Sequence, residues 1–251
     1  MSKIIIKTDE EIEIIHEGGR KLARIMEILK DEISRPGYLT KGLDARINLL
    51  CEKFGAKPAF MGYRGYPATV CLSLNDEIVH CPPGDRIIKE GDLVSLDFGL
   101  RYKNLYTDSA ISFGVGKMTP LAEKLIKVTE ASLYKGIDQV RPDGHIGDIG
   151  QAVSRYAEAN GFSVVRDLTG HGVGKEVHEP PQILNYGREG VGPIMKKGMV
   201  LAIEPMVNVG DWRIKQGVNG WSIMTADGEL SAHFEHTVAV TEDGYEILTQ
   251  Q

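Results

Sequence analysis

The chain has 251 residues, 42% hydrophobic and 25% charged, with a formal net charge of −6. Those values fit a folded globular protein with a substantial core, and the acidic balance argues against a specific nucleic-acid binder. No apolar stretch nears the roughly 20 residues of a membrane span, and the run Ile4, Ile5, Ile6 is too short for a signal-peptide core. Cys51, Cys71 and Cys81 offer neither a zinc-type pair spacing nor an even disulfide set, so a reduced, cytoplasmic chain is expected.

Thr8 and Glu11 have capping-box spacing, and Ile12, Ile15, Leu22, Ile25, Met26 and Leu29 recur at helical intervals, so a first helix opens at Thr8. Pro36-Gly37 breaks the chain. A second helix is expected from about residue 40 to 53, with Leu43, Ile47 and Leu50 on one face. Residues 55–69 read as an irregular loop, followed by strands near 70–74, 93–98 and 105–115. Thr119-Pro120 opens a third helix to about residue 135, and residues 146–160 form a fourth. After Gly161 the chain returns to strands and loops, notably at 199–206 and 233–240. Helices and strands interleave without strict βαβ order, which predicts one α+β domain over residues 1–251.

Five residues stand out as one candidate metal site: Asp97, Asp108, His171, Glu204 and Glu235. In 93–98 the residues Val94, Leu96 and Phe98 share one face, and Ser95 and Asp97 the other. A hairpin centred between Tyr102 and Lys103 would set Asp97 directly opposite Asp108, which is unfavourable without a cation. The bland alternative is two exposed aspartates on a surface hairpin. His171 lies between Gly170, Gly172 and Gly174, which permit close backbone approach and leave its imidazole free for a metal. Glu204 ends an apolar strand, and Glu235 lies mid-strand beside His233 and Thr237. A buried glutamate calls for a partner. Four carboxylates in one dry cleft repel one another unless cations join them.

The strings Ser95-Leu96-Asp97, Thr107-Asp108, Gly170-His171-Gly172-Val173-Gly174, Ile203-Glu204-Pro205-Met206 and Phe234-Glu235-His236-Thr237 resemble the methionine aminopeptidase family. Tyr63-Arg64-Gly65-Tyr66-Pro67, Asn75-Asp76-Glu77-Ile78-Val79-His80 and Asn219-Gly220-Trp221 extend the match along nearly the whole chain. The form resembled is type I and bacterial-like. The resemblance implies the pita-bread fold, a curved and mainly antiparallel sheet backed by helices, in two pseudo-two-fold halves. It implies two divalent ions per chain, and carboxylate and imidazole donors accept Co, Mn, Fe or Zn alike. Asp97 and Asp108 would hold one ion, His171 and Glu204 the other, with Asp108 and Glu235 between them. Glu204 looks like the proton shuttle for a metal-activated water, and His178 and His80 like contacts of the scissile amide.

By the same resemblance Phe60, Tyr63, Tyr66, Cys71, Val177 and Trp221 line the methionine pocket. Val177 stands where an aromatic residue is common, Phe60 where many bacterial relatives carry cysteine, Cys81 where glycine is usual, and His233 in place of the commoner glutamine. The implied partners are the N-termini of nascent polypeptides, at the ribosome or free, met by a monomer in the cytoplasm. An X-Pro-type peptidase of the same fold and a non-catalytic binding member are the alternatives.

Overall fold

A computed structural model describes residues 3–250. Helix α1 (Asp9–Ile33) begins at the expected capping box: Thr8 Oγ1 accepts the Glu11 N–H at 3.2 Å, and Glu11 Oε2 accepts the Thr8 N–H at 3.0 Å. Asp9, Glu10 and Glu11 also complement the positive end of the helix dipole. A 3-10 turn (Thr40–Gly42) leads into α2 (Leu43–Lys53). Five strands complete this half: β1 (Lys57–Pro58), β2 (Cys71–Leu74), β3 (Glu77–Val79), β4 (Leu93–Tyr102) and β5 (Leu105–Gly114). The long strand β4 pairs with β5, and with both β1 and β2. Its Val94, Leu96 and Phe98 form one buried cluster with Leu22, Ile25 and Leu29 of α1 and Ile47 of α2. Each large side chain there contributes about 1.5–3 kcal/mol by burial.

The second half repeats the plan. Thr119 Oγ1 accepts the Ala122 N–H at 3.2 Å and opens α3 (Pro120–Ile137), and α4 (Ile146–Ala159) follows. Then come β6 (Ser163–Val164), β7 (Thr169–Gly172), β8 (Glu179–Leu184), β9 (Val200–Ile203) and β10 (Met206–Asn208). The chain finishes with β11 (Ile214–Gln216), β12 (Ile223–Thr225), β13 (Ser231–His233), β14 (His236–Val240) and β15 (Tyr245–Ile247). A five-stranded sheet runs in the order β15-β14-β9-β7-β8, and Leu133, Ile137 and Ile149 of the helices pack on Leu201, Ile203 and Val238 of its strands. Each half is a helix pair laid on an antiparallel sheet, the α+β pita-bread arrangement expected.

Two expectations change. The β4–β5 turn is formed by Lys103 and Asn104, with φ of 46° and 66°, the two positive values a type I′ turn requires. The turn's centre therefore lies one residue later than expected, and every pairing moves by two. Asp97 faces Ala110 and Asp108 faces Gly99. Parity survives a two-residue change, so the aspartates still share a face, as diagonal neighbours and not as a direct pair. The second change concerns residues 199–206 and 233–240, which are not continuous strands. β9 pairs with β14 up to Ile203↔His236, and β10 pairs with β13 from Met206↔His233. Between them Glu204-Pro205 and Phe234-Glu235 leave those ladders, and Pro205 has no N–H to give. Glu235 thus sits at a crossing between sheets and not mid-strand.

Candidate metal centre

The crossing between sheets puts both glutamates at one level, over the face of β4–β5 that carries the aspartates. The Glu235 N–H donates to the Ala110 carbonyl at 2.8 Å, and Ser109 Oγ donates to the Glu235 carbonyl at 2.8 Å. Thr237 Oγ1 accepts the Asp108 N–H at 3.0 Å and donates to the Asp108 carbonyl at 2.7 Å. Asp108 and Glu235 are thereby bound to each other's strands across the two halves. His171 comes from β7, opposite Ala202 and next to Gly170 and Gly172. A Cβ on Gly170 would lie 2.4 Å from the Ala202 carbonyl oxygen, and one on Gly172 would lie 2.4 Å from that of Pro180. These two glycines serve close approach, as the sequence implied.

Asp97, Asp108, His171, Glu204 and Glu235 all line a single cleft. One ligand atom each from Asp108, His171 and Glu235 lies within 4.8 Å of the others. His171 Nδ1 is 2.9 Å from the Gly172 carbonyl, so Nδ1 carries the proton and Nε2 presents its lone pair to the cleft. That Nε2 is 3.3 Å from Glu204 Oε1, and His233 Nε2 is 3.6 Å from Glu204 Oε2. Burial pushes the Asp97 carboxyl up to about 7. Burial first, then the neighbouring carboxylates, hold Asp108, Glu204 and Glu235 well above the ordinary range. Burial pulls His171 down to about 4 and His233 to about 3. The donor set fits divalent cations. It is all carboxylate and neutral imidazole, it is buried, and Glu235 Oε1 has no hydrogen-bond partner.

The structure brings most of the residues expected for the pocket together at the rest of the cleft. Phe60, Tyr63, Tyr66, Cys71 and Trp221 line it, and Tyr66 meets Trp221 edge-on with ring centroids 5.4 Å apart. Val177 is buried in the same cluster as Phe60, Tyr66 and Cys71. Phe60 lies on Gly99, where a Cβ would sit 2.4 Å from the ring. His178 is exposed at the mouth, with Nδ1 3.0 Å from the Tyr63 hydroxyl and its ring 4.2 Å from that of His171. His80 also lines the cleft, in a left-handed backbone conformation with φ of 58°. Three neighbours went unassigned in the sequence: Arg64 and Val79, which line the cleft, and His233 behind Glu204. Strand parity with Glu235 was the available signal for His233.

The model of metallopeptidase family M24 matches residues 13–242. A methionine aminopeptidase of Clostridium perfringens is 47% identical over 246 residues, covering 98% of each chain. Methionine aminopeptidase 1 of Bacillus subtilis is 46% identical, covering 98% of this chain and 99% of its own. The crystal structure of methionine aminopeptidase from Thermotoga maritima superposes with a TM-score of 0.96 at 42% identity, covering 99% of this chain and all of that one. A prolidase from Pyrococcus furiosus superposes at 0.79 with 23% identity, over 66% of its length, a likeness of fold alone.

Proposed function

This chain belongs to metallopeptidase family M24, and on that premise we propose that it removes the N-terminal methionine from newly made polypeptides with a small second residue. The observation that carries the reading is the cluster of ligand atoms from Asp108, His171 and Glu235 at one end of an aromatic and apolar pocket. A thioether suits aromatic edges such as those of Tyr63, Tyr66 and Trp221. We take residues 1–251 as one catalytic domain, because the candidate ligands come from both halves.

Asp97, Asp108, His171, Glu204 and Glu235 would hold two divalent ions, of Co, Mn, Fe or Zn. Such ions supply Lewis acidity that acidifies water and polarises a carbonyl. The chain's own groups do the rest. Glu204, whose carboxylate lies in the cleft beside His171 Nε2, takes a proton from the attacking water and returns it to the amide nitrogen. His178 Nδ1 lies 3.0 Å from the Tyr63 hydroxyl, and in the tautomer in which that hydroxyl donates, Nε2 carries the proton and donates to the developing oxyanion. His80 at the rim contacts the scissile amide. We place this work in the cytoplasm; no helix among the described residues is long and apolar enough to cross a membrane.

The test is a peptide assay after chelation. Met-Ala-Ser should be cleaved only once Mn, Fe, Co or Zn is restored, and an Ala-Pro peptide should not be. Preference for the Ala-Pro peptide would move the chain to the X-Pro class, and absence of turnover with every metal would make it a binding member.

A further inference from the structure

The loop that presents Val177 and His178 is closed from behind by one carboxylate. Glu179 Oε1 accepts the backbone N–H groups of Lys175 at 2.5 Å and Glu176 at 3.0 Å. Its Oε2 accepts Lys7 Nζ at 2.5 Å, and both side chains are only 1% exposed. Lys7 reaches this position from the far end of the chain. Its backbone N–H donates to the Gly198 carbonyl at 2.8 Å, which fixes the extended N-terminal segment beside the loop. The lysine stem passes Gly174, where a Cβ would lie 2.7 Å from Lys7 Cε and where φ is +137°. No other residue type allows both the conformation and the approach. Outside this pair, Lys175 Nζ makes a second tie to Glu11 in the capping box of α1.

A buried ion pair is a poor stabiliser, because desolvating two charges offsets their attraction. This one has a geometric result. It sets the backbone of residues 174–176, immediately before the pocket wall and the cleft histidine. Val177 is 3% exposed among Phe60, Tyr66 and Cys71, and His178 bonds Tyr63. His171, by contrast, is held by its ladder partners Ala202 and Gln182.

We propose that Lys7 and Glu179 are positioning residues for substrate: the N-terminal segment, through this pair, fixes the methionine pocket wall at Val177 and the donor at His178. The proposal rests on the roles given to Val177 and His178 above, and it concerns substrate handling and not metal binding.

Removing one charge alone leaves the other buried and unpaired, and such a variant can fail to fold. Two uncharged double variants avoid this. K7M/E179Q keeps a carbonyl oxygen to cap the Lys175 and Glu176 amides, whereas K7M/E179L does not. Hydrogen exchange at those two amides, elemental analysis of bound metal, and steady-state kinetics on Met-Ala-Ser are read on both. In K7M/E179L the two amides should exchange about 5–10-fold faster than in K7M/E179Q. Its kcat/KM should be about 100-fold lower, as misplacement by roughly 1 Å can cause. Metal content should match wild type in both. Exchange and kinetics in K7M/E179L equal to those of wild type would overturn the proposal, as would loss of metal in K7M/E179L. Failure of the functional reading would show separately, as absence of turnover in the wild-type chain, and the exchange result would still decide whether the carboxylate sets the loop.

Discussion

At the residue scale Glu204 has the most demanding position. One oxygen lies 3.3 Å from His171 Nε2 and the other 3.6 Å from His233 Nε2, and burial with Asp97 and Asp108 raises its pKa. A group that both binds metal and carries a proton should lose more than affinity when altered. Glu204→Gln keeps the size and one oxygen but cannot take a proton. At saturating metal its kcat should fall about 10²–10⁴-fold, the usual worth of a general acid–base group. Bound metal, measured by elemental analysis of the same sample, should stay near wild type. A kcat near wild type at saturating metal would reduce Glu204 to a ligand alone. The five candidate ligands were legible as residue types, because a carboxylate inside an apolar run or a histidine among glycines is conspicuous. His233 was marked only by its strand parity with Glu235, since a buried imidazole is chemically ordinary until Glu204 is seen beside it.

At the scale of elements, the helices were readable because caps and 3.6-residue periodicity are local signals, as Thr8 with Glu11 and Thr119 with Pro120 demonstrate. The aspartate hairpin was readable in its faces and not in its register. Faces follow from parity, whereas register depends on which two residues adopt positive φ, and Lys103-Asn104 carries no glycine to mark the turn. The break at Phe234-Glu235 was hidden for a different reason, whereas Pro205 already marked a strand end at Glu204. The segment around Glu235 has strand-like composition, and only pairing with partners in two different sheets interrupts it. The turn supplies a test. A lysine at φ of 46° is held in a conformation its Cβ disfavours. K103N/N104G installs the preferred type I′ pair and should raise stability by about 1 kcal/mol, or about 2–4 °C in Tm. The exposed Lys103–Glu17 bridge lost with it is worth little. A fall in Tm by scanning calorimetry would refute the turn assignment.

For the whole molecule, the site is a store of electrostatic cost that metal relieves, and pH should expose it. Burial raises Asp97 to about 7, and burial first, then neighbouring carboxylates, hold Asp108, Glu204 and Glu235 well above the ordinary range. The cleft histidines shift the other way, with His171 near 4 and His233 near 3. Below pH ~6.5, the unfolded histidine value, the two sets oppose. There the folded chain holds extra protons on carboxylates and lacks them on imidazoles. By pH ~7.5, a unit above that value, the imidazoles are neutral in both states; the carboxylates still differ, and burial raises the thiols of Cys51, Cys71 and Cys81 in the same sense. The folded metal-free chain then binds more protons than the unfolded one, so stability must fall as pH rises. One such carboxylate in titration gives about 1.4 kcal/mol per pH unit, or roughly 2–4 °C in Tm. Divalent metal should reverse the trend, because its ligands bind deprotonated and its affinity grows with pH. Calorimetry at pH 7.5, 8.0 and 8.5 should give a declining Tm with chelator and a gap to the metal-loaded protein that widens at each step. A metal-free Tm that is level or rising over that range would mean the four carboxylates do not share one buried site.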